Sequence, residues 1–63
     1  MRERVTDNRG FLIGFLDYES NGDVRVSDDR GRFLGKYQAS ADITVDERGR
    51  LMYRGNRAMM LLR

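Results

Sequence analysis

Residues 17–28, DYESNGDVRVSD, place oxygen-bearing side chains at the spacing of a calcium-binding loop. An EF-hand loop takes ligands from positions 1, 3, 5, 7, 9 and 12 and needs glycine at position 6 for a sharp turn. Gly22 occupies the sixth position of this stretch. The ligand positions that are filled belong to Asp17, Glu19, Asn21, Asp23 through its backbone carbonyl, and Asp28. The spacing therefore defines a candidate metal site.

The residues on either side of this stretch favour a hairpin over a calcium loop. An EF-hand loop lies between two helices, but here Gly10 and Gly14 precede it and Gly31 and Gly35 follow it. Each glycine inside a helix destabilises it by about 1 kcal/mol relative to alanine. Asn-Gly between strand-like segments is also the strongest short-range hairpin signal. We therefore predict two strands joined at Asn21-Gly22 and no cofactor, with calcium binding at 17–28 as a less favoured alternative.

The residue types needed for common catalytic chemistry are missing. The chain has no His and no Cys, which removes the usual general base and the thiol nucleophile. No serine lies in a G-x-S-x-G turn. The acidic pairs Asp28-Asp29 and Asp46-Glu47 are typical of turn residues that hydrogen-bond their own backbone. We predict that the protein is not an enzyme.

Basic residues supply a second candidate chemistry, the binding of nucleic acid. The chain has twelve Lys and Arg residues and ten Asp and Glu residues, for a net charge of +2. Cations on the outer face of a small sheet, with an aromatic ring for stacking, suit phosphate and base contacts. The candidate residues are Arg25, Arg32, Lys36, Arg50, Arg54 and Tyr37. Because acids lie beside many of these cations, as on any soluble surface, nucleic-acid binding is the alternative function.

An internal repeat organises the chain. Three segments share an acidic, Arg-Gly turn followed by apolar residues: TDNRGFLIG (6–14), DDRGRFLG (28–35) and DERGRLMY (46–53). Between them, DVRVSD (23–28) matches DITVDE (42–47) at an offset of nineteen residues, which places Val26 in phase with Val45. These matches predict one domain over 1–63, with units at about 9–29, 30–47 and 48–63 and a partial unit at 1–8.

The repeating units have the period of strands. Apolar and polar residues alternate in each unit, as in half-buried strands. We predict an all-β protein of six or seven short antiparallel strands in about three Gly-rich hairpins, with residues 56–63 forming a final strand or a short helix. The period of two also places Phe33 on the face of Gly35, and Ile13 and Leu34 on the opposite face.

The hairpins DNRGFLIG, DDRGRFLG and DERGRLMY, with the two D[VI]xV strands, resemble small radial β-hairpin repeat proteins of the four-fold β-flower type. The resemblance covers about residues 5–55 and implies hairpin units arranged around a central axis. This chain has about three units, and Tyr53 replaces the second glycine of the third. The family implies no site residues. A small SH3-like or OB-like barrel is the competing architecture.

Association is the expected source of stability and of function. A chain of 63 residues buries only about 60% of its unfolded surface, and without Cys it has no disulfides. The residues predicted to form a subunit interface are Phe11, Ile13, Phe15, Met59, Met60, Leu61 and Leu62. No apolar run approaches the roughly 20 residues that cross a bilayer. We predict a cytoplasmic homo-oligomer that acts as a non-enzymatic binding or assembly module, with a protein partner but no membrane.

Overall fold

The protein is all-β. The computed structural model describes residues 1–62, which form six strands and one 3-10 turn, and no α-helix occurs within them. The strands are β1 (Arg2–Thr6), β2 (Leu12–Tyr18), β3 (Val24–Asp28), β4 (Phe33–Gln38), β5 (Ile43–Asp46) and β6 (Leu51–Arg54). The C-terminal 3-10 turn covers Ala58–Leu61. The all-β prediction is confirmed, including the hairpin joined at Asn21-Gly22.

The six strands form one antiparallel sheet in chain order, from β1 to β6. Each strand pairs with the next along the chain, so every connection is a short hairpin. The sheet is open, and β1 and β6 are its two edges. No helical segment in residues 1–62 has the length and apolar character needed to cross a membrane.

The turns after β1, β3 and β5 share one hydrogen-bond pattern, centred on Asp7, Asp28 and Asp46. In each, one carboxylate oxygen accepts the backbone N–H groups two and four residues further on, at 2.8–3.0 Å. The aspartate carbonyl accepts the N–H of the glycine three residues on, at 3.0 Å. That glycine has a φ of 82° to 87°, a conformation that favours glycine because it has no Cβ. The repeated Asp and Gly therefore have a local structural role.

A β-bulge follows each of these turns and changes which side chains face the core. Val5 pairs with Gly14 but Thr6 pairs with Leu12, which leaves Ile13 as the extra residue. Register shifts at the equivalent points in β3–β4 and β5–β6 leave Leu34 and Met52 as extra residues. Ile13 and Leu34 pack against the core, contrary to the face predicted from a strict period of two. Phe33 likewise lies on the face opposite Gly35, because the bulge separates them.

The register of β5 is also different from the predicted one. The turns recur at eighteen residues, from Asp28 to Asp46, whereas the sequence match used an offset of nineteen. Val26 belongs to the core cluster, while Val45 is buried outside it. Thr44 takes the position equivalent to Val26 because the turn that follows determines the register. The predicted phase of Val26 with Val45 is therefore wrong.

The core is small and lies under the C-terminal 3-10 turn. The buried cluster consists of Val5, Leu16, Val24, Val26 and Ala58. Leu61 and Leu62 pack against this cluster, and their methyl groups occupy the space that a Cβ would take at Gly35 and Gly14. The predicted final strand or helix is therefore a 3-10 turn that covers the sheet; Arg63 lies outside the described residues.

A buried threonine directs the chain from β6 into this cover. The Thr44 hydroxyl donates to the Gly55 carbonyl at 2.8 Å and accepts the Arg57 backbone N–H at 2.9 Å. Thr44 is fully buried, so both bonds form away from solvent. They place Ala58 and the two leucines that follow over the core.

Candidate functional site

One face of the sheet carries most of the positive charge in the strands. Side chains directly opposite each other on neighbouring strands project to the same side, and Arg2, Asp17, Arg25 and Lys36 form such a row across β1 to β4. The cations that alternate onto this side, called the basic face below, are Arg2, Arg4, Arg25, Lys36 and Arg54. Asp17 is the only acid at a strand position on this face in the described part of the chain. The other side carries the core and its 3-10 cover.

A second row on the basic face combines aromatic rings with a hydroxyl. Phe15 on β2 lies opposite Ser27 on β3, and Ser27 lies opposite Phe33 on β4. The guanidinium carbon of Arg2 lies 4.6 Å from the centroid of the Phe15 ring. The corresponding distance from Arg25 to Phe33 is 4.5 Å. Each contact holds a guanidinium over a ring face, a cation–π arrangement worth roughly 0.5–1 kcal/mol at an exposed site.

The side chains of these two rows enclose a small pocket, called the Ser27 pocket below. Its volume is about 120 Å³, and it is lined by Arg2, Asp17, Arg25, Val26, Ser27, Gly31 and Phe33. Ser27 is 9% exposed, and its Oγ has no hydrogen-bond partner within residues 1–62. A buried hydroxyl without a protein partner is unusual in folded proteins, which makes Ser27 a candidate binding group.

The carboxylate in this pocket is already neutralised. The Nε and Nη2 atoms of Arg2 donate to the two oxygens of Asp17, at 2.8 and 3.0 Å. These hydrogen bonds lower the pKa of Asp17 and raise that of Arg2. The guanidinium of Arg25 forms no ion pair within the described chain. The lining therefore has one net positive charge.

The structure places the residues predicted for nucleic-acid binding at three different locations. Arg25, Lys36 and Arg54 share the basic face. Arg32 and Arg50 lie in turns, and the Nε of Arg50 donates to Asp46 at 2.9 Å. Tyr37 packs against the core on the other face, and its hydroxyl donates to Asp42 at 2.7 Å, which raises the Tyr37 pKa.

The predicted calcium ligands do not surround one point. Asp17 pairs with Arg2, the Asn21 side chain accepts the Asp23 backbone N–H, and Asp28 lies in the turn at the opposite end of the hairpin. Asp23 accepts the Ala39 N–H at 2.8 Å. Within residues 1–62 no three carboxylates are close enough together to hold a metal ion.

The predicted interface residues also divide between different surroundings. Ile13, Leu61 and Leu62 pack against the core of their own chain. Phe15 lies on the basic face beneath Arg2. Phe11 and Met59 are 65% and 54% exposed, and Met60 is 36% exposed. The seven residues therefore do not form one surface, because the bulge at Ile13 separates it from Phe15.

A larger groove lies between the turns and the C-terminal cover. Its volume is about 410 Å³, and it is lined by Leu12, Ile13, Asp28, Asp29, Leu34, Leu61 and Leu62. Apart from Leu12, the apolar lining residues already pack against the core, and the two carboxylates lie in the turn after β3. The groove is thus a continuation of the core packing toward solvent.

The two edges of the sheet differ in chemistry. On β6, Leu51 is 52% exposed and Met52 is 48% exposed. On β1, the exposed residues Arg2, Glu3 and Arg4 carry charges. Charged residues on an edge strand discourage pairing with another strand, whereas an exposed apolar edge favours it. Edge β6 is therefore the candidate assembly site.

Sequence reasoning did not identify Arg2, Ser27 or Phe33 as site residues. One signal was present, because Ser27 is the only serine within a strand. When the repeated turns are aligned, Ser27 corresponds to Val45, an apolar residue, in the third unit. A polar residue at a buried strand position needs a partner, and that requirement singles out Ser27.

Comparisons of this chain with protein-family models, curated proteins and solved structures found no match. The resemblance to β-flower repeat proteins therefore stays a prediction. Two features of the described residues are candidate functional sites, the apolar edge β6 and the Ser27 pocket.

Proposed function

We propose that this protein is a non-enzymatic assembly module that associates with a second copy of itself by pairing β6 with β6. The observation that carries this proposal is an edge strand that has no neighbouring strand on one side within residues 1–62 and has two exposed apolar side chains, Leu51 and Met52. Antiparallel pairing of two β6 strands would satisfy these backbone groups and bury the same apolar surface from both copies.

The contrast between the two edges supports β6 as the pairing strand. The exposed charges of Arg2, Glu3 and Arg4 on β1 would have to be desolvated by a strand added there. Edge β6 presents one charged residue, Arg54, beside Leu51, Met52 and Tyr53. A second copy is a suitable partner because its β6 would bring the same apolar side chains into contact with those of the first copy.

The small core supports a need for association. Only six apolar residues are buried within residues 1–62. The exposed surface is 4606 Å², compared with about 4,200 Å² expected for a folded monomer of this mass. Burial of β6 in a dimer would remove part of this excess exposed surface.

We further propose that the three hairpins with Asp-x-x-Gly turns are copies of one unit, as the sequence repeat predicts. The identical turn hydrogen bonds and equivalent bulges support this interpretation. The row of hairpin units would then continue into a second chain through β6, and the units of one chain would not need to close into a ring. Phe11 lies at the other end of the strand order and would remain outside this interface.

Sedimentation velocity at micromolar concentrations tests the proposal. Wild type is expected to sediment as an oligomer, and Met52→Lys as a folded monomer, because lysine at an edge opposes strand pairing. Ser20→Lys is the matched control, since it adds the same charge at an exposed position in the loop between β2 and β3. This control is expected to remain oligomeric.

Two results would contradict the proposal. One is a stably folded, monodisperse wild-type monomer over the whole concentration range. The other is an oligomer that persists in Met52→Lys as it does in Ser20→Lys, since the contact would then lie elsewhere.

A further inference from the structure

We propose that the Ser27 pocket on the basic face binds a phosphate group, with the Ser27 hydroxyl and the Arg25 guanidinium donating hydrogen bonds to its oxygens. This inference goes beyond self-assembly and does not depend on it. Ser27 and Arg25 lie on β3, inside the sheet, whereas the proposed assembly contact is on edge β6.

The buried hydroxyl of Ser27 is the first reason. Ser27 lines the pocket and is about nine-tenths buried, and its buried Oγ has no hydrogen-bond partner within residues 1–62. Leaving a buried polar group unpaired costs about 1–3 kcal/mol. A ligand oxygen that accepts a hydrogen bond from this hydroxyl would explain a serine at a buried strand position.

The charge of the pocket identifies the ligand as an anion. Arg2 and Asp17 neutralise each other through their paired hydrogen bonds. Arg25 lies close enough to Asp17 to lower its pKa but forms no salt bridge within residues 1–62, so the three side chains together keep one positive charge. One uncompensated guanidinium suits one phosphate oxyanion, since arginine presents N–H donors in a planar fork that matches phosphate geometry.

The two rings hold the guanidinium groups of the pocket in place, that of the donor Arg25 and that of Arg2, which pairs with Asp17. Phe15 supports Arg2 and Phe33 supports Arg25, at the cation–π distances of 4.6 and 4.5 Å. A guanidinium already stacked on a ring loses less side-chain entropy when it binds an anion. The volume of about 120 Å³ suits a small group and not an extended ligand.

A phosphate group can come from two sources, free phosphate and the backbone of single-stranded nucleic acid. The other cations of the basic face, Arg4, Lys36 and Arg54, would contact neighbouring phosphates of a strand. The experiment therefore uses inorganic phosphate and an oligothymidylate without terminal phosphate, each against sodium chloride at matched ionic strength. Binding is followed from the backbone amide signals of Ser27, Gly31 and Phe33 by NMR.

Two variants test the donors, and a third is the control. Ser27→Ala and Arg25→Gln are each expected to weaken binding by about tenfold or more, because each removes a hydrogen bond to a charged group. Arg54→Gln removes a cation of the same face outside the pocket and is expected to change phosphate binding by less than about twofold. Without ligand, Ser27→Ala is expected to unfold at a higher temperature than wild type, since it removes an unpaired buried hydroxyl.

The outcomes are distinct. Saturable binding of inorganic phosphate that both variants weaken supports the site with free phosphate as its ligand. Saturable binding of the oligonucleotide alone, again weakened by both variants, supports the site with a nucleic-acid backbone as its ligand. Binding that is equal in wild type and both variants overturns the proposal. Shifts that sodium chloride reproduces, or no binding of either probe, also overturn it.

Discussion

At the scale of the residue, three aspartates determine the turns at one end of the sheet. Asp46 shows the fullest set of contacts: its carboxylate accepts the N–H groups of Arg48 and Arg50, and also the Arg50 guanidinium. These contacts lower the pKa of Asp46, and the backbone N–H of Arg50 contributes most. The equivalent Asp28 also has a lowered pKa, for the same leading reason at Arg32. The backbone hydrogen bonds of these turns therefore favour the ionised form of the aspartates.

The lowered pKa predicts a loss of stability in acid. Because the folded-state pKa lies below the ordinary value of 3.8, the charged carboxylate stabilises the fold above that pH, and the contribution is lost as the pH falls through the folded-state value. Asp46→Asn retains one acceptor oxygen but cannot titrate. We expect its free energy of unfolding to change less than that of wild type below pH 3.8, as measured by urea denaturation at stepped pH.

Glu47→Gln is the control for this measurement. Glu47 is exposed and forms no ion pair within the described residues. Its variant is expected to follow the wild-type acid dependence. Parallel curves for wild type and Asp46→Asn would show that this carboxylate is not responsible.

At the scale of the element, each bulge exchanges the faces of the residues before and after it. The extra residues Ile13 and Leu34 turn toward the core, and the glycines that follow leave room for the leucines of the 3-10 turn. In the third hairpin Tyr53 replaces the glycine, and Met52 stays 48% exposed. The C-terminal turn therefore covers two of the three hairpins, which is why β6 keeps apolar residues in solvent.

This packing predicts an energetic coupling between Gly14 and Leu62. A Cβ at residue 14 would contact a Leu62 methyl group and the Ser27 carbonyl oxygen. Gly14→Ala is expected to destabilise the protein by about 1–3 kcal/mol through overpacking. In the background of Leu62→Ala the same substitution is expected to cost at least about 0.5 kcal/mol less, since one of the two clashes is gone. A double-mutant cycle from urea denaturation measures this difference.

Gly31→Ala is the matched control for the cycle. It makes the same substitution where no atom lies within 4 Å of the new Cβ, but at a φ of 85°. It is expected to be destabilising because of its backbone conformation and to show no coupling to Leu62→Ala. Equal couplings for Gly14 and Gly31 would contradict the role assigned to the leucine cover.

At the scale of the whole molecule, three features lie on different parts of the sheet. Its core face is covered by the 3-10 turn, its basic face contains the Ser27 pocket, and edge β6 is apolar. Self-assembly at an edge leaves both faces of the sheet available. The proposed assembly contact and the proposed phosphate site are therefore compatible in one oligomer.

Self-assembly predicts that stability depends on protein concentration. When folding and association are linked, the oligomer is favoured by mass action, so the temperature of half-unfolding rises with concentration. We expect such a rise for wild type in thermal unfolding followed by circular dichroism, and no rise for Met52→Lys. A wild-type midpoint that does not change over a hundredfold concentration range would contradict the linkage.

The sequence predicted the strands and turns better than it predicted the side of the sheet on which each side chain lies. Asn21-Gly22 and the Asp-x-x-Gly turns act over a few residues, so their hairpins were predictable from local chemistry. A bulge adds one residue to a strand without altering its composition, so Phe33 and Ile13 were assigned to the wrong faces. Nor does local sequence show that Leu61 and Leu62 pack against glycines more than twenty-five residues away.

The sequence by itself determined that the chain forms strands and tight turns and has no histidine or cysteine chemistry, because alternation, turn preference and composition are local or additive properties. The tertiary structure decided which side chains meet. Phe15, Ser27 and Phe33 belong to three different strands, and only the strand pairing makes them neighbours. The exposure of Met52, in contrast to the packing of Ile13 and Leu34, was likewise decided by the reach of one 3-10 turn. Contacts between distant parts of the chain depend on register, and a single residue of register exchanges the two faces of a strand.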